Sequence, residues 1–296
     1  MQISEARTNL MNYYDISNPT ESDRILYVES LEFLIDKTRD PEYMSELAFY
    51  YCADKRFDLE IKYLEMATEY GDLRAYEELG YMYYYGQHGV QDYKRAFECF
   101  SKGAEGSDGE GRMWCKFKLA DMYRFGCYVD KDEKKYREII EDLYKKITST
   151  VRLSAPLPEI SLRLAGIRAE DGDRDEAIRL LRTAKPFMAE RLSYDPFWGH
   201  IEVMGRIVRF LYDLTPIDEA DMDFYDLFSV TRECRAVSFK RNGTEYHIDI
   251  SDDDEHALRF GGKWYRDFEE LCNKAEIDGE RVTAIYDEFY EFETRR

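Results

Sequence analysis

The chain is expected to be mostly α: an α–α superhelical repeat solenoid followed by a small C-terminal α+β domain. Three observations predict this. Apolar residues recur at three- and four-residue steps in short segments across roughly the first 215 residues. One motif occurs twice, since Leu79-Gly80-Tyr81-Met82-Tyr83 with Gly86 returns as Leu119-Ala120-Asp121-Met122-Tyr123 with Gly126. Beyond about Val230 the helical period gives way to alternation. The expected domains are residues 1–230, the helical repeats, and 231–296, the α+β part.

The helical segments follow in order. Segment 21–38 places Ile25, Val28, Leu31, Leu34 and Ile35 on one face, and Thr20 with Asp23 forms a capping pattern. Segments 41–53 and 56–70 are split at Asp54-Lys55. Segments 73–86 and 92–105 flank a Gly86-Gln87-His88-Gly89-Val90 loop, and 112–125 and 132–147 flank Gly126-Cys127-Tyr128-Val129. Residues 148–158 are rich in Ser, Thr and Pro and read as a loop between two halves of the solenoid. Another hairpin spans 162–184 and turns at Asp171-Gly172-Asp173. Segment 197–213, with Ile201, Met204, Ile207, Val208 and Leu211, is a further helix. All seven prolines are expected between helical segments, where a missing N–H is tolerated.

In the last part, Val237 and Phe239 alternate with polar neighbours, and Asn242-Gly243 supplies a two-residue hairpin turn before Tyr246, Ile248 and Ile250. A second short pair is expected at 256–260 and 263–266 around Gly261-Gly262. A helix at 267–275, a turn of helix near 280–286 and a strand at 289–293 complete the unit.

The repeated motif resembles the Sel-one-like repeats, a branch of the tetratricopeptide-repeat class. The first copy reads Ala67-Thr68-Glu69-Tyr70-Gly71, Ala75, Leu79-Gly80-Tyr81-Met82-Tyr83, Gly86, Gly89-Val90, Asp92 and Ala96. The second reads Gly103-Ala104-Glu105, Leu119-Ala120-Asp121-Met122-Tyr123, Gly126, Val129 and Asp132. It departs by carrying Ser107 where a glycine is expected and extra residues around Gly109-Glu110-Gly111. The match covers about 41–136, with weaker hairpin similarity to about 215. Residues 162–184 look like a generic tetratricopeptide unit. The resemblance implies a scaffold that binds proteins rather than an enzyme. It also implies that the inner face of each first helix lines a concave groove. In this register that face carries Phe49, Tyr81, Tyr84, Lys116, Asp121 and Arg124. Tyr and Arg often anchor interfaces, but with 25 tyrosines in the chain some are expected simply to pack.

Physical reasons stand beside the resemblance. Ala75, Leu79, Met82 and Tyr83 share one helix face. Gly80, replaced by Ala120 in the second copy, lets two helices approach closely, and Gly86 ends a helix where positive φ is needed. Each hairpin leaves an apolar face that only the next can cover.

With 62 acidic and 42 basic residues the net charge is −20. That excludes nucleic acid, which needs the opposite field, and an anionic membrane surface. It admits a basic protein or peptide partner. An alternative reading is an acidic inhibitor or immunity-type protein that binds a basic toxin, such as a nuclease. No run of about 18 apolar residues exists to span a membrane. The first residues, Met1 to Arg7, lack a basic stretch followed by an apolar run, so no signal peptide is expected and a cytoplasmic location is. Six cysteines without knuckle or redox spacing read as reduced, part-buried thiols.

No catalytic, metal or cofactor site is expected. The four histidines, His88, His200, His247 and His256, form no metal-binding step. Asp252-Asp253-Asp254-Glu255 lacks the spacing of a calcium loop and reads as a solvated turn. An enzyme seated in the C-terminal part, using His247 or His256 beside carboxylates, is the third and weakest reading.

Overall fold

The computed structural model describes residues 1–87, 89, 91–105, 110–149, 156–216, 221–231, 233–251 and 257–295, with only the backbone of Glu110 and Gly111. His88, Val90, Ser107, Gly109, the carboxylates at 252–255 and His256 lie outside the described residues. The fold is mostly helical, with a small strand region at the C-terminal end. Two compact units divide it, Met1–Ile139 and Ile140–Arg296.

The first unit holds α1 (Ile3–Tyr14), α2 (Glu21–Thr38), α3 (Pro41–Ala53), α4 (Phe57–Glu69), α5 (Leu73–Tyr85), α6 (Tyr93–Gly103) and α7 (Glu110–Phe125). The start of α8 (Glu133–Ser149) also falls within it. Helices pack as successive hairpins, α1 on α2, α3 on α4 and α5 on α6, and α7 then packs on both α5 and α6. Capping follows the sequence closely. Thr20 accepts from the Asp23 amide at 3.3 Å while the Asp23 carboxylate accepts from the Thr20 amide at 2.8 Å. Asp40 and Asp72 cap α3 and α5 by accepting from Glu42 N at 3.0 Å and Arg74 N at 2.9 Å. Such caps satisfy amides that have no partner inside the helix.

The two motif copies close in the same way. The amide of Asp92 donates to the Tyr83 carbonyl at 2.9 Å, and that of Asp132 to the Tyr123 carbonyl at 3.0 Å. Gly86 and Gly126 end α5 and α7 at φ +65° and +71°. Each motif tyrosine then lies under a cation from the next helix, Tyr83 under Arg95 at 5.2 Å and Tyr123 under Lys135 at 4.8 Å. Gly80 faces the Phe100 ring, and a Cβ there would lie 2.4 Å from its Cε1. Leu31, Leu34, Met44, Leu47, Leu64, Ala75 and Leu79 belong to one buried cluster, and Ala96, Phe100, Cys115 and Met122 to a second. Each large side chain fully buried there contributes about 1.5–3 kcal/mol.

The second unit holds the rest of α8, α9 (Leu157–Glu170), α10 (Arg174–Tyr194), α11 (Trp198–Leu214), α12 (Leu227–Val230) and α13 (Phe268–Lys274). Its larger sheet is antiparallel throughout, in the order β4 (Lys263–Tyr265), β3 (Leu258–Phe260), β2 (Thr244–Ile250), β1 (Ala236–Arg241), β7 (Tyr290–Arg295). A two-stranded pair joins β5 (Glu276–Ile277) to β6 (Glu280–Arg281). Asn242 and Gly243 both take positive φ, +51° and +78°, as the tight hairpin requires. One face of the larger sheet is buried through Val237, Phe239, Ile248 and Phe260. Phe224, Phe268 and Phe289 continue that aromatic cluster. The strands share their unit with α9–α11. Arg209 of α11 donates to Glu269 of α13 at 2.9 Å and lies over the Phe228 ring at 5.7 Å.

Three sequence expectations change. Helix α1 was not anticipated, because its apolar positions are few and Gln2 is a weak capping residue. Pro186 lies inside α10, and Pro158 in the first turn of α9, rather than between helices. Residues 280–286 form β6 and the start of a 3-10 turn at Tyr286–Glu288, not a turn of α-helix. Arg241 explains the last point, since its buried guanidinium donates to Glu280 at 2.8 Å and Glu288 at 2.7 Å and so holds this stretch against β1.

Candidate functional site

Within the first unit, α1, α3 and α5 together form a cleft of about 790 Å³. Helix α3 supplies Glu42, Ser45, Glu46, Phe49 and Tyr50, one side of the helix at steps of three and four. Helix α5 supplies Arg74, Ala75, Glu77 and Glu78 at its first two turns, and α1 contributes Tyr13 and Tyr14. Tyr27 of α2, Leu64 of α4 and the cap residue Asp72 complete the wall.

Rings line one end. Tyr13 stacks on Tyr27 with centroids 4.1 Å apart, and Tyr50 lies 5.5 Å from Tyr27. The hydroxyl of Tyr27 donates to Glu46 Oε1 at 2.7 Å, and the Tyr14 hydroxyl donates to the same oxygen. Burial first, and then these hydrogen bonds around Glu46, push both phenols above the usual tyrosine range. Ser45 Oγ donates to Asp72 Oδ2 at 2.7 Å. Burial raises the Glu78 carboxyl, and the charge of Glu60 raises it further. The Arg74 guanidinium lies 3.9 Å from Glu42 and 3.7 Å from Asp72, and it is largely exposed. Carboxylates therefore outnumber cations in this lining.

Of the six residues that the repeat register points to, Phe49 lines the cleft and is 56% exposed. Tyr81 and Tyr84 are half-buried and meet the Phe100 ring at 5.6 and 6.3 Å. With Tyr85 they surround the ammonium of Lys118, at 5.1, 5.4 and 5.0 Å from the three rings, and Lys118 Nζ donates to the Tyr85 hydroxyl at 2.7 Å. Asp121 is buried, and Lys116 is half-buried. Arg124 donates to the Tyr136 hydroxyl at 3.2 Å across that ring. The structure thus separates Phe49 from the group around Lys118. It adds Tyr13, Tyr14, Glu42, Glu46, Glu77 and Glu78, which the register did not single out. A carboxylate pattern on the Phe49 side of α3 was the one legible signal for them.

Among the described residues no group of three or more His, Cys, Asp or Glu is placed to hold a metal ion. His200 Nδ1 lies 3.1 Å from the Asp195 carbonyl oxygen, and His247 is exposed, 3.8 Å from Glu245. The six cysteines are free thiols. Burial pushes Cys99 and Cys115 up to about 12, so they stay protonated near neutral pH and are weak nucleophiles. No described helix is long and apolar enough to cross a membrane.

Residues 73–108 and 115–135 match the family model of the Sel1 repeat. These two stretches of the first unit are thus similar to the Sel1 repeat, a type of repeat that generally serves as a protein–protein interaction scaffold. Similar solved structures include a Sel1 repeat protein from Oxalobacter formigenes, at 17% identity and TM-score 0.48 over 65% of this chain and 71% of that one. A protective antigen of uropathogenic Escherichia coli strains with an SLR fold aligns at 16% identity and TM-score 0.49, over 74% of this chain and 51% of that one. A Podosopora anserina putative kinesin light chain with TPR-like repeats gives 18% identity and TM-score 0.38, over 58% and 85%. No curated protein matches the chain.

Proposed function

We propose that the chain is an adaptor that binds a protein or peptide partner along the inner helices of its first unit, and that it is not an enzyme. The cleft between α1, α3 and α5 carries this reading, because it joins side chains from three successive hairpins into one concave surface. Concave, mostly pre-formed clefts of about 300–1,000 Å³ are the usual form of a binding site. Phe49, half exposed in that cleft, is its apolar anchor. The half-buried Tyr81, Tyr84, Lys116 and Arg124 would form a second, separate patch on the next helices, whereas Asp121 is buried. Six free cysteines agree with a reducing compartment, which supports a cytoplasmic location.

The test uses the full chain. A photo-crosslinking phenylalanine at position 49 is expected to capture a discrete partner in the source cell, and the same group at Lys62 on α4 is not. Equal capture at both positions, or capture at Lys62 alone, would refute the reading. The acidic-inhibitor alternative predicts that the captured partner is a basic toxin whose activity the chain abolishes.

A further inference from the structure

Resting on the reading that α1, α3 and α5 form the binding surface, we propose that their cleft takes a lysine or arginine side chain of a peptide segment. The cationic head sits on Glu46 and Glu78, and the aliphatic stem lies against the tyrosine rings.

Charge supports this first. Glu42, Glu46, Glu77 and Glu78 face the cleft, and Arg74 is held at its rim by Glu42 and Asp72. An anionic ligand would meet repulsion from both α3 and α5. Hydrogen bonding supports it next. Both tyrosine hydroxyls converge on Oε1 of Glu46, and no described residue donates to its Oε2. A carboxylate oxygen accepts further donors, and a guanidinium or ammonium supplies them. The rings of Tyr13, Tyr27 and Tyr50 give the wall against which the stem of such a side chain lies, close to the carboxylate that takes its head.

The chain uses this chemistry on itself. Arg95 lies over Tyr83, Lys135 over Tyr123, and Lys118 within its three tyrosines. Among the described residues no such cation covers Tyr13, Tyr14 or Tyr27, so the cleft presents rings and a carboxylate without an internal cation of this kind. A metal ion is a poorer occupant, because no three ligating side chains of the described residues converge. At about 790 Å³ the cleft exceeds one side chain, which favours a peptide segment over a small diamine.

Amide-resolved NMR titration of the full chain tests the proposal with four heptapeptides, Gly-Ser-X-Gly-X-Ser-Gly, in which X is arginine, lysine, citrulline or norleucine. The arginine and lysine peptides are expected to shift amides of α3 and α5 in a saturable way. Citrulline keeps the shape of arginine without its charge and should bind at least about tenfold more weakly, a difference of about 1.4 kcal/mol. Raising NaCl from about 50 to about 300 mM should weaken the arginine peptide severalfold. The double variant E46Q/E78Q should lose about tenfold, with unchanged near-ultraviolet circular dichroism. If that variant fails to fold, E42K at an exposed rim position should give the same direction.

Equal binding of arginine and citrulline peptides overturns the cationic assignment while leaving the cleft as a binding surface. Spermidine binding as tightly as the arginine peptide overturns the peptide assignment. Absence of any saturable shift on α3 and α5 also overturns the proposal. Crosslinking from position 49 decides separately whether the surface is used at all.

Discussion

Gly80 shows how much one atom matters in this chain. A Cβ at that position would sit 2.4 Å from the Phe100 ring, inside the second buried cluster. The G80A variant is therefore expected to lose about 1–3 kcal/mol, as overpacked cores do. Urea denaturation measures this, and adding F100L should recover part of the loss. Glu78 behaves in the opposite sense. Burial and the charge of Glu60 on α4 raise its carboxyl above the ordinary glutamate value, and Cys52 on α3 also senses that charge. The folded state therefore holds this proton more tightly than the unfolded chain does. The ionised form is a liability at neutral pH, and the liability disappears below the unfolded glutamate range. E78Q should raise the melting temperature near pH 7, by about 2–4 °C for each kcal/mol gained. The gain should vanish near pH 4. A lower melting temperature at pH 7 would contradict this account.

At the scale of elements, the turn after each motif helix is the recurring device. Asp92 and Asp132 donate backwards through the main chain and accept forwards through the side chain, from Arg95 N and Lys135 N, both at 3.0 Å. Removing either cap, as D92A or D132A, should cost about 1 kcal/mol. Hydrogen exchange should localise the loss to the first turn of α6 or α8. These elements were legible because their signals are local: a capping carboxylate, a glycine at positive φ, an apolar step of three or four. Helix α2 starts and ends where Thr20 and its apolar face place it. Helix α1 was hidden by its weak signals, since only Ala6 and Leu10 are buried and Ile3 and Met11 are exposed. The cost of missing it fell on the cleft, half of whose tyrosine wall comes from Tyr13 and Tyr14. Repeat register singled out Phe49, which lines the cleft. It could not show that Tyr81 and Tyr84 turn toward Phe100 and Lys118, because that depends on packing partners from two other helices. Pro186 inside α10 is a further case, since position along a helix is not readable from proline alone.

For the molecule as a whole, charge is the dominant quantity. A net charge of −20 repels itself across each compact unit, and added salt screens that repulsion within about 10 Å at 0.1 M. Melting temperature should therefore rise by about 2–4 °C between low and physiological salt, followed by scanning calorimetry. Peptide affinity should fall over the same range, so the two trends have opposite signs and cannot share a trivial cause. The strand region is not an appendage in this account. It belongs to the same compact unit as α9–α11, and Arg209 ties α11 to α13 and α12 through Glu269 and Phe228, a link no sequence period could reveal.

The three indoles of the chain stand at Trp114, Trp198 and Trp264, and none of them borders the cleft. Emission from the native chain is thus blind to whatever enters there. An indole installed in place of Phe49 would glow against a background that occupancy leaves constant, and would turn the adaptor into its own optical gauge.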